Sequence, residues 1–320
     1  MSLEIIEISG LATIQDSGRR GWRKFGVPVS GPMDGFSFHA ANKLAGNDSN
    51  CAAVEIGLGD ITLRALRDCV ISAAGVGYSL SIYIWDFPLW SSYYVRAGWT
   101  IRLTKLDSGM WSYLAVAGGV LPFDTAQGQP VLDSRSTYLR GHFGGLDGRQ
   151  LQAGDLLKSG SPSRSLHELA ARTLPEPARP NYIDAPNIDV IMGPQTKYFT
   201  EESIATFKSQ SYTVSATSDR MGYRLEGTAL THRHKTELIS EGMAMGAIQV
   251  PSNGQPIVMM ADSPTTGGYP KIAAVASADL PLVAQCVPGR NRIHFRETTV
   301  AKAQKRYQLL MSGLRRIVEE

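Results

Sequence analysis

Residues 240–277 read SEGMAMGAIQVPSNGQPIVMMADSPTTGGYPKIAAVAS, and the interpretation of the whole chain starts from them. Residues 256–261 form a short apolar run bounded by turn-forming residues, which is the pattern of a buried β-strand. Asp262 follows at the point where this strand would leave the core, and residues 263–269 supply hydroxyls and two adjacent glycines. We expect these glycines to adopt positive φ and to bring the backbone close to a bound group.

The composition of this turn leaves two interpretations open. The turn can offer backbone N–H groups and hydroxyls to an anion or a carbonyl oxygen, with a lysine following it. Alternatively, it is a tight hairpin whose polar residues only satisfy the turn itself. Under the first interpretation, the substrate-binding residues are Gln249, Thr265, Thr266, Gly267, Gly268, Tyr269 and Lys271.

The composition of the chain limits its class. A length of 320 residues with 43% hydrophobic content predicts a substantial core and two domains, which we place at residues 1–180 and 181–320. The 32 glycines and 17 prolines are typical of a turn-rich β protein. The net charge of +3 is spread along the chain without basic blocks, so we expect no nucleic-acid partner.

The N-terminal residues, the lack of a long apolar run and the cysteines lead us to expect a cytoplasmic protein. The first ten residues lack the pattern of a targeting segment, and no apolar run reaches the length of a membrane span. The three cysteines, Cys51, Cys69 and Cys286, form no CxxC pair and have apolar neighbours. We expect reduced, buried thiols and no membrane partner.

The order of apolar residues predicts a mainly β fold with few helices. Residues 51–120 contain short apolar runs, several with period two, which indicate a β meander or barrel. Asp34 and Gly46 mark the start and end of an early helix, and a brief helix is expected at residues 165–172. Residues 298–318 predict an amphipathic helix whose apolar face is made by Ala303, Tyr307, Leu310, Leu314 and Ile317.

A short pattern, S-x-R-x-G-[WY]-R, occurs twice, starting at Ser17 and at Ser218. The simplest explanation is two related β units. Arg19 and Arg220 occupy equivalent positions in the two copies. A planar guanidinium suits a carboxylate or a phosphate, although an arginine on a surface loop is more often solvated or in a salt bridge.

Several common motifs are absent from the sequence. It contains no GxxxxGK[ST] loop, no GxGxxG and no GxSxG. His232, His234 and Glu237 have the residue types of a metal site, but without a third convergent ligand we predict a polar surface strand and no metal. Residues 243–245, Met-Ala-Met, lack the lysine of a biotin-carrying segment, so any biotin would arrive on another chain.

Three stretches resemble the allophanate hydrolase subunit 2 family, and the resemblance extends over nearly the whole chain in the expected order. This family includes the KipA proteins, the C subunit of bacterial 5-oxoprolinase and the second half of the carboxyltransferase region of urea carboxylase. The stretches are GLATIQDSGRRGWRKFGVPVSGPMDGFSFHAANKLAGN (10–47), SDRMGYRLEG (218–227) and SEGMAMGAIQVPSNGQPIVMMADSPTTGGYPKIAAVASADL (240–280).

The resemblance implies a fold of tandem cyclophilin-like β-barrel units with a few short helices and a C-terminal helix. It also implies a partner, a subunit 1 chain that is similar to KipI or to the B subunit of 5-oxoprolinase. In the 5-oxoprolinase version, these two chains and a third, lactam-utilisation chain (the A subunit) open 5-oxo-L-proline to L-glutamate with ATP hydrolysis, and we expect the ATP site to be shared with the partner. In the urea carboxylase version, biotin is the cofactor and carboxybiotin carboxylates urea, whereas the KipA version is a regulator that is not an enzyme.

The chemistry of these substrates selects the candidate catalytic residues. Proton transfer at a lactam or ureido nitrogen requires a carboxylate nearby, and the candidates are Asp219, Glu241 and Asp262. Each carboxylate could instead form a loop salt bridge with Arg19 or Arg220, which are the candidates for holding a substrate carboxylate or phosphate. We favour the 5-oxoprolinase version, because the sequence has no carboxylase or biotin-carrier segment.

Overall fold

The computed structural model describes residues 2–121, 130–233 and 238–319. The chain forms two compact units. The first comprises Met1–Arg19, Ser30–Arg179 and Ser312–Glu320, and the second comprises Arg20–Val29 and Pro180–Met311. The proline-rich composition near residue 180 gives no sign that two short segments, residues 20–29 and 312–320, group with the unit on the other side of this boundary. Their grouping depends on contacts between residues that are distant in sequence.

Two seven-stranded antiparallel sheets make up the first unit. Their strands are β1 (Leu3–Ile8), β2 (Leu11–Gln15), β3 (Ala53–Gly57), β4 (Ile61–Ala65), β5 (Cys69–Gly75), β6 (Tyr78–Ile82), β7 (Trp85–Phe87), β8 (Ser91–Val95), β9 (Thr100–Lys105), β10 (Trp111–Val116), β11 (Val120–Leu121), β12 (Leu156–Ser159), β13 (Arg172–Thr173) and the last strand of the chain, β23 (Val318–Glu319). The strand orders are β11-β12-β1-β4-β9-β6-β7 and β2-β3-β10-β5-β8-β13-β23.

One apolar core joins the two sheets of this unit. Ile5 and Leu63 from the first sheet and Val54 and Leu114 from the second are buried in the same cluster. In β4, buried residues alternate with more exposed ones, as expected when one face of a strand meets the core. The short antiparallel strands predicted for residues 51–120 are therefore confirmed, but they do not form a meander, because neighbours such as β3 and β10 are not consecutive in sequence.

The helices of the first unit are α1 (Gly35–Leu44) and α2 (Leu166–Leu169). The predicted N-cap of α1 is confirmed, because the Asp34 carboxylate accepts hydrogen bonds from the Ser37 backbone N–H at 3.0 Å and from its hydroxyl at 2.6 Å. Glu168 and Ser165 form a capping box at α2. Both helices lie where capping residues in the sequence place them.

The second unit contains a closed seven-stranded barrel, in the order β14-β21-β18-β19-β16-β15-β22, and a separate two-stranded ribbon, β17-β20. Only the pairing of β14 with β22 is parallel among the barrel pairs of the described residues. The elements are β14 (Asn187–Met192), α3 (Glu201–Ser209), β15 (Ser211–Val214), β16 (Gly222–Glu226), β17 (Glu241–Gly242), β18 (Ala247–Gln249), β19 (Ile257–Met259), β20 (Thr266–Gly267), β21 (Lys271–Val275), α4 (Leu280–Ala284), β22 (Arg292–Glu297) and α5 (Val300–Gly313).

The mainly β fold class, with barrel architecture, few helices and a C-terminal helix, is confirmed. The helix α3 was not predicted from the sequence, although Thr200 caps it and Glu201 and Glu202 lie in its first turn. Short turns of 3-10 helix occur at Arg23–Phe25, Leu139–Gly141, Glu176–Ala178, Thr196–Tyr198 and Leu314–Arg316.

The apolar face predicted for the C-terminal helix is wrong in part. Ala303 and Leu314 are buried, but Tyr307 is 42% exposed. The helix is instead held by Arg306, whose guanidinium contacts the buried carboxylates of Asp189 and Asp279. An ion pair can anchor a helix without an apolar stripe, which hydrophobic periodicity cannot indicate.

The three cysteines are free, and Cys51 is half-buried, unlike the other two. Burial raises the pKa of Cys69 and of Cys286 to about 12, so both remain thiols at neutral pH. Among the helices that the structure describes, none has the length and apolar character needed to cross a membrane.

Candidate functional site

An ion pair between Glu241 and Lys271 is the centre of the candidate site. Glu241 begins the ribbon strand β17, and Lys271 begins the barrel strand β21. The Lys271 Nζ donates to the Glu241 Oε2 at 2.8 Å. The lysine side chain is only 14% exposed, whereas the glutamate side chain is 49% exposed. A covered cation thus holds a carboxylate that faces solvent.

A third residue, Gln195, joins this pair. It lies after β14, just before the 3-10 turn Thr196–Tyr198, and it is 8% exposed. Its amide nitrogen donates to the same Oε2 of Glu241 at 2.8 Å. Gln195 was not identified from the sequence, since no local pattern links it to a glutamate 46 positions away.

The electrostatics of the group favour the ionised carboxylate. The hydrogen bond and charge of Lys271 hold the pKa of Glu241 below its ordinary value, with a smaller contribution from Gln195. The favourable interaction is present above the ordinary glutamate pKa near 4.5 and is lost as the pH falls through the lowered pKa. At neutral pH, Glu241 can therefore accept a proton or a hydrogen bond but cannot donate one.

Gln249, predicted from the sequence to bind substrate, lies beside this group. It is the cross-strand partner of Lys271 in the pairing of β18 with β21. Its amide oxygen is buried and has no hydrogen-bond partner among the residues that the structure describes. A buried acceptor without a donor is unfavourable, and such groups are often found where a ligand binds.

The expectation of positive φ at Gly267 and Gly268 is wrong, because neither glycine adopts it. The lack of space beside Gly267 explains why a glycine occupies this position. A Cβ there would lie 2.4 Å from the Met243 Cε and 3.2 Å from the Gln249 Oε1. At Gly268, a Cβ would lie 3.1 Å from the Leu238 carbonyl oxygen. Close packing of the ribbon, and not its dihedral angles, requires small residues here.

We expect Gly267→Ala to lower the free energy of unfolding by about 1 kcal/mol relative to Gly242→Ala, because only the first crowds a buried side chain. Gly242 faces Thr266 across the same ribbon, and a Cβ there meets nothing within 4 Å. Urea denaturation of both variants measures the difference. Equal stabilities would show that Met243 moves aside without cost.

The remaining turn residues support both interpretations of the turn. The Thr265 carbonyl accepts from the Met243 N–H at 2.9 Å, which is a hairpin contact. Thr266 is exposed, Thr265 is half-buried, and Tyr269 is 37% exposed. These groups can contact a ligand, and their substrate-binding role stays a prediction.

Arg23 fastens this turn within the second unit. Its guanidinium donates to the carbonyl oxygen of Met243 and to that of Pro264 at 3.2 Å. Burial lowers the pKa of Arg23. From the arginine-rich loop at residues 19–23, the sequence suggested Arg19 as the site residue, whereas the structure places Arg23 next to the turn.

Arg220 and Asp262 form a separate buried ion pair. The Arg220 Nε donates to Asp262 Oδ2 at 2.8 Å, and its Nη2 donates to Oδ1 at 3.1 Å. Both side chains are 6% exposed. This is the salt bridge given above as the alternative for these residues. Since each charge is satisfied by the other, the pair is well suited to hold β16 and the end of β19 together.

Comparison with known proteins now identifies the family. A family model described as the carboxyltransferase domain, subdomain A and B, matches residues 25–297. The chain belongs to this carboxyltransferase domain family. Proteins named as the C subunit of 5-oxoprolinase are 38% identical to it in Haemophilus influenzae, over 99% of both chains, and in Escherichia coli, over 96% of this chain and 94% of that one. The resemblance stated from the sequence is confirmed.

A solved structure shows the same fold. The urea carboxylase of Kluyveromyces lactis matches this carboxyltransferase domain with a TM-score of 0.90 and 27% identity. The match covers 99% of this chain but 29% of the urea carboxylase chain. The domain therefore corresponds to less than a third of that larger enzyme.

Two other predicted site residues of this carboxyltransferase domain, Asp219 and Arg19, form hydrogen bonds with the residues around them. The Asp219 Oδ1 accepts from the Met221 N–H at 2.8 Å and from the Gly222 N–H at 3.3 Å, so this residue shapes a turn. Arg19 belongs to the first unit, where it is buried and donates to the carbonyl oxygens of Val131 and Ser136. The structure thus gives Asp219 and Arg19 local structural roles.

The histidine cluster of this carboxyltransferase domain is described only in part, because His234 and Glu237 lie outside the described residues. The His232 ring lies 3.1 Å from the Val250 carbonyl oxygen through Nε2, and burial lowers its pKa. Within the described ranges, no three histidine, cysteine or acidic side chains converge on a possible metal.

Proposed function

We propose that this chain is the C subunit of an ATP-dependent 5-oxoprolinase complex. The similarity to proteins of that name over 99% of both chains carries the proposal. The complex would open 5-oxo-L-proline to L-glutamate together with a subunit 1 partner, similar to KipI or to the 5-oxoprolinase B subunit, and a lactam-utilisation chain. The three residues Glu241, Lys271 and Gln195, which we call the Glu241 group, supply chemistry that suits this reaction.

The role of the group follows from its charges. Opening a lactam requires proton transfer at the ring nitrogen and donors for the oxygen of the carbonyl group. Glu241 is an ionised acceptor, and Lys271 has three N–H donors, of which one is used on Glu241. The Thr265 and Thr266 hydroxyls are further donors for the substrate. We assign Glu241 to accept the N–H proton while the carbonyl is activated and, once protonated, to return it to the nitrogen as the C–N bond breaks. We assign Lys271 to donate a hydrogen bond to the carbonyl oxygen.

The described residues do not by themselves fit ATP. A depression of about 510 Å³ beside β22 and α5 is lined by the cations Arg296, Lys302, Lys305 and Arg306. Both arginines bind the buried Asp189, and the sequence has no P-loop to surround phosphates. The described residues therefore offer no complete ATP site, and we propose that the partner completes it.

The test measures ATP hydrolysis and glutamate formation by this chain mixed with its subunit 1 and lactam-utilisation partners, with and without 5-oxo-L-proline. We expect stimulation by the lactam, and we expect Glu241→Gln to lower the rate about 10²–10⁴-fold, because the amide cannot take up a proton. Glu202→Gln, on the exposed start of α3, is the matched control. A stable complex without lactam stimulation would overturn the proposed function.

Biotin-dependent carboxyl transfer is the second candidate. The description of the matching family model and the likeness to a urea carboxylase favour it. The ureido group of biotin and the substrate urea both carry N–H groups beside a carbonyl, so the Glu241 group suits them as well. Two results together would favour this candidate over the 5-oxoprolinase function. The complex supplied with carboxybiotin would carboxylate urea, and the lactam would not stimulate its ATP hydrolysis.

A further inference from the structure

The two donors of the Glu241 group converge on one carboxylate oxygen. Lys271 and Gln195 both bind Oε2, at 2.8 Å each. The other oxygen, Oε1, has no hydrogen-bond partner among the described residues, and the side chain is half exposed. A carboxylate fixed through one oxygen presents the second as a preorganised acceptor.

The environment of Gln195 argues against a merely structural role. Its amide oxygen is buried and has no hydrogen-bond partner in the described part of the chain. Leaving a buried acceptor unpaired is unfavourable, and an apolar side chain of the same size would avoid that loss. The carboxylate can only accept hydrogen bonds, so the amide nitrogen must face Glu241 and the oxygen must face away. The benefit of Gln195 therefore lies in holding Glu241.

The remaining donors belong to Lys271. Two of its three N–H groups are not used in any hydrogen bond among the described residues. The site thus offers an acceptor, Oε1, beside a cationic donor. In a lactam ring, the N–H and the C=O lie on the same side of the C–N bond and face outward together, and one N–H of urea has the same relation to its carbonyl.

We propose that Glu241 Oε1 and the Lys271 ammonium recognise the paired N–H and C=O edge of a lactam or urea, and that Gln195 is the positioning residue of Glu241. This inference rests on the proposed function, which it deepens by naming the recognised edge. An open-chain trans amide, in which N–H and C=O point in opposite directions, does not match the pair. The site therefore selects the syn edge and not amides in general.

The first test compares ligands of the assembled complex. Titration calorimetry measures the binding of 5-oxo-L-proline, of its N-methyl derivative and of the lactone in which oxygen replaces N–H. We expect the two ligands without N–H to bind at least about tenfold more weakly, as for loss of a hydrogen bond to a charged group. Equal binding of all three would overturn the inference while leaving the proposed function intact.

The comparison also works if the proposed function fails. A complex that ignores the lactam but carboxylates urea is tested with urea and tetramethylurea in the same way. Weaker binding of tetramethylurea would support the recognised edge, and equal binding would overturn it. A failure of the inferred edge recognition can thus be distinguished from a failure of the proposed function.

The second test uses Gln195→Met, which keeps the size of the side chain and removes its amide. We expect unchanged or higher thermal stability, about tenfold weaker binding of the N–H ligand, and an acid limit of binding that moves to higher pH. Among the described residues, Lys271 is the charged group that contacts Glu241, and it remains in place in this variant. Gln210→Met, at the exposed end of α3, is the control. Lower stability with unchanged binding and pH profile would show a structural role and overturn the assignment.

Discussion

Replacing Arg220 with methionine is expected to lower the free energy of unfolding by about 3–5 kcal/mol, the usual effect of removing one partner of a buried ion pair. The Asp262 carboxylate, 6% exposed, would lose the two hydrogen bonds that compensate its burial. Asp262→Asn should be destabilising for the same reason. Loss of activity in either variant therefore does not by itself indicate a catalytic role.

A double variant separates the effect of the charge from that of packing. Arg220→Met combined with Asp262→Leu removes both charges, and we expect it to regain much of the stability lost in Arg220→Met. Arg224→Met, further along β16 on the exposed face, should change stability by less than about 0.5 kcal/mol. Denaturant unfolding followed by circular dichroism measures all three. A stable Arg220→Met variant would show that Asp262 reaches solvent when unpaired.

Much of the fold could be predicted from local signals. The helix cap at Asp34 and the alternation of apolar residues in 51–120 depend only on residues that are close in sequence, and the structure confirms both. The closure of the barrel in the second unit could not be predicted in this way, because it depends on the parallel pairing of β14 with β22, which lie far apart in sequence. The resemblance supplied that level of the fold.

The residues of the candidate site that lie close together in sequence could be predicted, whereas a residue distant from them could not. Glu241, Gln249 and Lys271 stand in one stretch, and cross-strand pairing brings the latter two together. Gln195 lies outside that stretch and is recognised only through its hydrogen bond to Glu241. Asp262 and Arg220 illustrate the reverse case. Their position beside a loop suggested a catalytic role from the sequence, and the structure adds that both are buried and bound to each other.

Arg306→Met is expected to detach the C-terminal helix α5 from the barrel. The fully buried carboxylate of Asp279 accepts from the Arg306 Nη1 at 3.0 Å and from its Nη2 at 2.7 Å, and it also accepts from the Asp189 N–H at 2.7 Å. Asp189 keeps Arg296 at 2.6 Å, so Asp279 is the group left without a cation. We expect a loss of about 3 kcal/mol, at the low end for buried pairs because Arg306 itself is partly exposed.

Hydrogen exchange distinguishes this local effect from general destabilisation. Since few side chains of α5 are buried, loss of the ion pair should raise amide exchange in α5 well before it does so in β16 or β19. Lys305→Met, one position earlier on the same helix, should leave the exchange pattern unchanged. Uniformly faster exchange across the second unit would mean that the Asp279 ion pair supports the barrel itself. Unchanged exchange in α5 would show that Ala303 and the flanking backbone contacts suffice to hold the helix.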